Sequence, residues 1–137
     1  VIILLKERLN AVKKLIAAHK SPDRARVLVM GMTFKEDVTD IRNSKVIDVV
    51  NELRDFGVEV DVIDPGASHE EVKHEYGIDL KKGPEGKYDA IVVAVAHKEY
   101  RDLDEKFFLD LLNERGILVD LKGMYRNKMK WLTYWSL

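Results

Sequence analysis

Cysteine is absent from the 137 residues of this chain. That absence excludes a disulfide framework, a thiolate metal site and a cysteine nucleophile within these residues. A glycine-rich G-x-G-x-x-G turn is absent as well, because the residues that follow Gly31 are not the further glycines that this motif needs. Tight dinucleotide binding in the usual mode is therefore not expected within these residues.

An excess of either charge is also missing, since 23 basic and 24 acidic residues leave a formal net charge of -1. No global field attracts nucleic acid or an anionic membrane, so any anion site must be local. The apolar start at residues 1–5 meets charged residues at once and is too short to span a bilayer. It also lacks the basic leader and the cleavage site of a secretory signal. We expect a cytoplasmic protein without a nucleic-acid or membrane partner.

The composition is that of a folded domain, with 46% hydrophobic and 34% charged residues. Its first apolar residues recur at helical spacing: Leu5, Leu9, Val12 and Ile16. They predict an N-terminal amphipathic helix over about residues 3–19, with its apolar stripe facing a partner. Ser21-Pro22-Asp23 ends this helix. We expect residues 1–20 to be an interdomain helix cut from a larger parent, since the first residue is Val, and residues 21–137 to be the domain.

Strands and helices alternate after this break. The predicted strands are 26–31, 58–63, 78–80, 88–95 and 116–119, and the predicted helices are 43–56, 67–76 and 104–114. This alternation predicts an α/β fold, a Rossmann-like doubly wound parallel sheet of about five strands with helices on both faces. If the first strand is central, a crevice opens at its carboxyl end, beside the strand at 88–95. The loops at 31–42, 96–101 and 120–125 should border that crevice.

The loop after the first strand carries two cations and runs Gly31-Met-Thr-Phe-Lys-Glu-Asp-Val-Thr-Asp-Ile-Arg-Asn-Ser44. Lys35 and Arg42 lie there between a buried strand and an amphipathic helix, where backbone N–H groups and the helix dipole favour an anion. Lys122, beyond the last predicted strand, converges on the same crevice. The pattern predicts a diphosphate site. The alternative is that Lys35 and Arg42 pair with acidic neighbours on a solvated loop, and the residues alone leave both interpretations open.

Other polar residues give weaker indications. Asp64 ends the second strand, where such folds place a ribose-binding carboxylate, but Asp-Pro-Gly is also a turn and we favour the turn. His97 follows a strand, yet a histidine without a paired carboxylate is more often a loop residue than a ligand contact. His69 and His74 are five residues apart and cannot share one helix face, so they do not predict a metal site.

The tail, residues 124–135, interleaves basic residues with large aromatic residues, among them Trp131, Tyr134 and Trp135. Such a pattern occurs in proteins that bind single-stranded nucleic acid. Because the chain is neutral overall and has no long basic stripe, we interpret these aromatic residues as a cover for apolar sheet or helix surface.

Taken as a string, Val-Leu-Val-Met-Gly-Met-Thr-Phe-Lys-Glu-Asp-Val-Thr-Asp-Ile-Arg-Asn-Ser closely resembles the signature that opens the C-terminal domain of the UDP-glucose/GDP-mannose dehydrogenase family. The match covers nearly everything from Arg24 on and continues through Lys45-Val-Ile-Asp-Val-Val, Asp64-Pro65, Tyr88-Asp-Ala-Ile-Val-Val-Ala-Val, His97-Lys-Glu-Tyr100 and Asp120-Leu-Lys122-Gly. The Gly-Met-Thr-Phe-Lys and Ala-His-Lys-Glu-Tyr wording looks most like members that oxidise UDP-N-acetylhexosamines for capsule or O-antigen synthesis.

This resemblance implies an intact parent that oxidises the 6-hydroxymethyl group of a UDP-sugar to a carboxylate. The parent would use two NAD+ and pass through a thiohemiacetal and a thioester on a cysteine. In the family the NAD site and the cysteine lie in earlier domains, so this fragment is expected to be inactive alone and to hold no catalytic residue and no metal. The resemblance also implies contacts with the N-terminal and central domains and a homo-oligomer when intact.

The resemblance also assigns individual binding residues. Phe34 and Lys35 match positions that hold the UDP moiety, and Arg42 matches an arginine that reaches NAD from the neighbouring domain. Lys122 stands where many members have an arginine for UDP, and a lysine offers a point charge in place of a bidentate fork.

The alternative function is a stand-alone nucleotide-binding or signalling α/β domain. A signalling receiver needs an acidic pair at the end of its first strand, where this chain has Val-Met-Gly.

Overall fold

The structure is a computed structural model that describes residues 2–33 and 35–136, except for the side chains of residues 2–6, 8 and 19. Its strands are β1 (Arg26–Met30), β2 (Glu59–Ile63), β3 (Tyr88–Val93), β4 (Leu112–Asp120) and β5 (Thr133–Ser136). Its helices are α1 (Ile2–His19), α2 (Val46–Phe56), α3 (His69–Tyr76), α4 (Lys98–Arg101) and α5 (Glu105–Leu111), with a 3-10 helix at Pro22–Arg24.

The five strands form one parallel sheet in the order β2-β1-β3-β4-β5. This arrangement confirms the predicted doubly wound α/β fold. The chain leaves β1 toward β2 on one side, and it later returns to place β3 on the other side. The direction of winding therefore reverses between β1 and β3, as expected for a central first strand.

Both faces of the sheet are buried, which explains why the central strands are continuously apolar. Side chains alternate between the two faces along a strand, so Val27 and Val29 of β1 join one core and Leu28 and Met30 join the other. The first core is completed by α1, α2 and α3, and the second by α4 and α5. The sheet is thus the middle layer of three.

The helix α1 packs on this domain through the stripe that the sequence predicts. Leu9, Val12 and Ile16 are buried in the first core, while the side chain of Leu5 lies outside the described residues. The next helix, α2, turns Val46, Val49, Val50 and Leu53 into the same core. The stripe of α1 therefore has a partner within this chain.

Two predicted elements differ from the structure. Residues 78–80 do not form a strand, although Ile78 and Leu80 are buried in the first core. The fifth strand is β5, in the aromatic tail, where Tyr134 packs into one core and Trp135 into the other. The predicted helix 104–114 is shorter, because the residues from Leu112 onward already pair with β3.

Candidate functional site

The loops that leave β1, β2 and β3 meet at the carboxyl edge of the sheet. Gly31 has φ 101, and a Cβ placed on it would lie 2.7 Å from the Cβ of Val95. Glycine is required there, both for the left-handed backbone and for this close approach. The N–H of Gly31 donates to the carbonyl oxygen of Ile63 at 2.8 Å, so the three loops start from one tightly packed point.

Asp64 is the polar centre of this edge. Its side chain is fully buried, and its Oδ2 accepts hydrogen bonds from the N–H groups of Met32 and Thr33, at 2.6 and 3.2 Å. Its Oδ1 accepts from the N–H of Gly66 at 2.7 Å, which is the turn that the sequence favours. Burial works to raise the pKa of Asp64, but the hydrogen bonds from His97, Met32 and Gly66 outweigh burial and hold that pKa below its usual value. The carboxylate organises two loops and leaves no open face for a ribose.

His97 is paired with that carboxylate and is only 2% exposed. Its Nε2 lies 2.9 Å from Asp64 Oδ2 and 3.1 Å from the hydroxyl oxygen of Thr33. Its Nδ1 accepts a hydrogen bond from the N–H of Asp37 at 3.0 Å. Sequence reasoning missed this pairing because Asp64 and His97 are 33 residues apart on different loops. The strand order β2-β1-β3 brings the two loops together, and no local motif shows it.

Lys35 and Lys122 stand on the rim with unpaired charges. Both side chains are exposed, on loops that follow β1 and β4, the two neighbours of β3. Among the residues that the structure describes, neither ammonium group forms an ion pair. Phe34, the third predicted UDP contact, lies outside the described residues. The structure therefore leaves two cations available to an anion, one on each side of β3.

Arg42 differs from these lysines because it is already paired. Its Nε donates to Asp40 Oδ1 and its Nη2 donates to Asp40 Oδ2, both at 3.0 Å. This is the pairing with an acidic neighbour that the sequence left open, and it applies to Arg42 but not to Lys35. The hydrogen bonds from Arg42 lower the pKa of Asp40 to about 2. Because the Arg42 side chain is 81% exposed, the pair is weak enough to open for another anion.

The loop that carries Lys122 is tied to the end of β4. Asp120 is fully buried, and its Oδ2 accepts from the N–H of Tyr125 at 2.7 Å and from the hydroxyl of Tyr134 at 2.6 Å. Burial, together with the hydrogen bond to Asp120, raises the pKa of Tyr134 to about 12. The hydroxyl of Tyr125 in turn donates to the carbonyl oxygen of Tyr100. The turn that carries Lys122 is therefore held by hydrogen bonds of Asp120, which precedes the turn, and of Tyr125, which follows it.

These residues do not fit a dinucleotide held in the usual Rossmann manner. The turn after β1 has one glycine, and both oxygens of the carboxylate at the end of β2 already accept hydrogen bonds from backbone N–H groups of the protein. In the part of the chain that the structure describes, no group of three acidic or histidine side chains is placed to hold a metal ion. None of the described helices is long and apolar enough to cross a membrane.

Known proteins match this chain over most of its length. A UDP-N-acetyl-D-glucosamine 6-dehydrogenase of Pseudomonas aeruginosa is 44% identical over 112 residues, which cover 81% of this chain and 26% of that protein. Protein CapL of Staphylococcus aureus is 38% identical over 116 residues, which cover 84% of this chain and 27% of that protein. The chain therefore spans about a quarter of the length of these relatives.

Solved structures share the fold at lower identity. The UDP-N-acetyl-mannosamine dehydrogenase Cap5O from Staphylococcus aureus superposes with a TM-score of 0.75 at 21% identity, covering 96% of this chain and 30% of that one. A UDP-D-ManNAc dehydrogenase from Pyrococcus horikoshii gives 0.71 at 24% identity, covering 91% and 28%. Residues 28–127 match the UDP binding domain of one family, so the chain belongs to the UDP-glucose/GDP-mannose dehydrogenase family.

Proposed function

We propose that this chain is the UDP-binding part of an NAD-dependent nucleotide-sugar 6-dehydrogenase. The observation that carries the proposal is that two lysines, Lys35 and Lys122, lie at the carboxyl edge of the sheet, where the winding reverses, and form no ion pair with any residue that the structure describes. Ligands of open α/β sheets bind at such a reversal. The match of residues 28–127 to a UDP binding domain supports the same assignment.

The diphosphate of the ligand is the part that these lysines would hold. A diphosphate carries negative charge on both phosphates, and Lys35 and Lys122 approach β3 from its two sides. Because a glycine-rich turn is lacking, the backbone cannot wrap the phosphates closely, and side-chain charge must supply the attraction. Phe34 is proposed to contact the UDP moiety as well.

Arg42 is proposed to reach NAD held by a domain outside this chain. The exposed guanidinium is free to turn outward once its pair with Asp40 opens. NAD would supply the oxidising equivalents for the parent reaction. This domain would contribute one cation to that cofactor and no site of its own.

The substrate class follows from the relatives. The two proteins described as UDP-N-acetyl-D-glucosamine 6-dehydrogenases are 44% and 38% identical to this chain. We therefore propose a UDP-N-acetylhexosamine as substrate and the uronic acid as product, in the cytoplasm, for surface polysaccharide synthesis. The intact parent is proposed to contain N-terminal and central domains and to form a homo-oligomer.

Calorimetry with UDP-N-acetylglucosamine on this chain tests the binding site. A charge-assisted hydrogen bond contributes roughly 1.5 to 3 kcal/mol, so Lys35→Ala should weaken binding by about one to two powers of ten. Lys122→Ala should also weaken binding. Lys14→Ala is the matched control, because Lys14 is an exposed lysine on α1, and its affinity should equal that of wild type.

Equal affinities for wild type and Lys35→Ala would remove Lys35 from the site. The activity is tested on the intact parent by following NADH formation with UDP-GlcNAc, UDP-GalNAc and UDP-glucose. No NADH with any of the three would reject the proposed reaction.

A further inference from the structure

His97 touches the loop of Lys35 at two points that bracket this lysine. Its Nε2 lies 3.1 Å from the hydroxyl oxygen of Thr33, two residues before Lys35. Its Nδ1 accepts from the N–H of Asp37, two residues after Lys35. The hydroxyl of Thr33 also donates to the carbonyl oxygen of Lys35 itself, at 2.8 Å. The imidazole therefore spans the segment from which the Lys35 side chain projects.

Asp37 is held on both its backbone and its side chain. It has φ 58, a left-handed conformation that a non-glycine residue adopts only when its surroundings stabilise it. The backbone N–H of Asp37 donates to the ring of His97, and the carboxylate of Asp37 accepts from the N–H of Lys98 at 2.7 Å. Loss of the imidazole contact would free this residue to return to an ordinary backbone conformation.

The contacts identify one protonation state of the ring. The N–H of Asp37 can donate to Nδ1 only when that nitrogen carries no proton. The remaining ring proton is then on Nε2, where it donates to the carboxylate of Asp64. The neutral Nε2–H form gives both the N–H of Asp37 and the carboxylate of Asp64 a partner, whereas a second proton on Nδ1 would face the N–H of Asp37.

We infer that His97 is a positioning residue for the diphosphate site, whose neutral imidazole sets the backbone on both sides of Lys35 and thereby makes the affinity for a UDP-sugar depend on pH. This inference rests on the proposed function for the identity of the ligand. Because His97 is buried, it is inferred to act through the loop and not by contact with the ligand. Protonation of its ring would break the link to Asp37 and displace Lys35.

The groups that face the ring shift the pH at which it gains its second proton. Asp64 faces it from the end of β2, Asp37 from the loop after β1, and Glu99 and Tyr100 from α4, with the Tyr100 ring centroid 5.5 Å away. Burial works to lower the pKa of His97, but the hydrogen bond to Asp64 and the surrounding carboxylates outweigh burial and raise it above its usual value. The loop is thus expected to loosen as the pH falls through that raised pKa.

The first experiment is an NMR titration of the chain without ligand. At about pH 8.5, above the ordinary histidine pKa, the ring nitrogen shifts of His97 should show a proton on Nε2 and none on Nδ1. The amide signals of Lys35 and Asp37 should then move with the same midpoint as the His97 ring. A proton on Nδ1 at this pH, or an Asp37 amide that ignores the titration of His97, overturns the inference.

The second experiment measures affinity for UDP-N-acetylglucosamine, whose diphosphate is esterified at both ends and lacks the titration of a terminal phosphate near pH 6. Wild type should lose about tenfold in affinity between about pH 8.5 and about pH 5.5, as expected for one lost hydrogen bond. His97→Asn keeps an acceptor for the N–H of Asp37 but does not titrate, so its affinity should be flat over this range.

Exposed His69 on α3 gives the matched control, and His69→Asn should retain the pH dependence of wild type. If His97→Asn retains that dependence too, the inference is wrong. If wild type does not bind the UDP-sugar at either pH, the proposed function fails, while the ligand-free titration still decides whether His97 holds the loop.

Discussion

The two ends of the sheet use charge in opposite ways. At the amino end, Arg26 is fully engaged, since its guanidinium donates to Glu59, to Asp61 and to the carbonyl oxygen of Lys87. At the carboxyl end, the ammonium groups of Lys35 and Lys122 have no partner among the described residues. Charges that are paired internally at the amino end stabilise the fold, whereas the two ammonium groups at the reversal of the sheet are available to a ligand.

The amino end also contains a cavity, but this cavity lacks the features of a ligand site. Its volume is about 470 Å³, and its lining includes Leu15, Ile16, Lys20, Asp89 and Asn113. Asp89 accepts from Lys20 at 3.3 Å, from Asn113 at 3.2 Å and from the N–H of Arg26 at 2.9 Å. Three polar groups of this cavity, those of Lys20, Asp89 and Asn113, are therefore already engaged within the protein and offer a ligand little specific attraction.

The largest expected effect comes from Asp64→Ala at the carboxyl end. The change leaves three backbone N–H groups and the ring of His97 without their acceptor, and such a loss at a buried charge costs about 3 to 5 kcal/mol of unfolding free energy. Chemical denaturation measures this loss. Asp64→Asn keeps one acceptor oxygen and should lose less.

The same carboxylate gives a pH signature. Its pKa in the folded state is lowered, so its stabilisation is present above the unfolded value of about 3.9 and disappears as the pH falls through the folded pKa. Asp64→Ala should lack this acid-dependent part of the stability curve. A wild-type curve that is as flat as that of the variant below about pH 4 would contradict the account of Asp64.

A smaller effect is expected at the amino end from Asp61→Ala. Asp61 accepts from Arg26 Nη2 and from the hydroxyl of Tyr88, each at 2.8 Å, and Arg26 retains partial exposure. Loss of this acceptor should lower the free energy of unfolding by about 1 to 3 kcal/mol, as measured by denaturation. Affinity for a UDP-sugar should not change, in contrast to Lys35→Ala. A matching loss of affinity in both variants would abolish the distinction between the two ends.

The smallest effect is expected from Arg42→Ala. Removal of the guanidinium should return the pKa of Asp40 from about 2 toward its usual value, which an NMR titration of the carboxylate measures. Stability should not change measurably, because the pair is exposed on the surface. Arg42→Lys is the control, since it keeps the charge and loses the fork, and should give an intermediate pKa. An unaltered Asp40 pKa in Arg42→Ala would show that the pair does not persist in solution.

Periodicity was sufficient to predict the layers of the fold. The apolar runs of β1 and β3 and the spacing of α2 are local signals, and they led to the parallel sheet with helices on both faces and, with β1 taken as central, to the reversal beside β1. The fifth strand was harder, because residues 78–80 and Thr133–Ser136 are both short, and neither has the continuous apolar run of the central strands. Only the tail aligns with β4, from Ile117 opposite Thr133 to Asp120 opposite Ser136.

The sequence indicated which charged residues lie on the loops at the carboxyl edge of the sheet, but not how they pair. Lys35 has Asp37 two residues away, yet the Asp37 carboxylate accepts a hydrogen bond from the N–H of Lys98 at the start of α4. Arg42 has Asp40 at the same spacing, and there the pair forms. The difference depends on which loop lies opposite each carboxylate, and a linear pattern does not contain that information.

The loop that presents Lys122 is anchored at its far end as well as at its start. A single carboxylate oxygen of Glu105 accepts from three successive N–H groups, those of Lys130, Trp131 and Leu132, at 2.7, 2.6 and 3.1 Å. This segment therefore loses its conformational entropy when the chain folds, before any ligand binds. An incoming nucleotide would meet a preorganised partner, and less of its intrinsic binding energy would be consumed in ordering the protein.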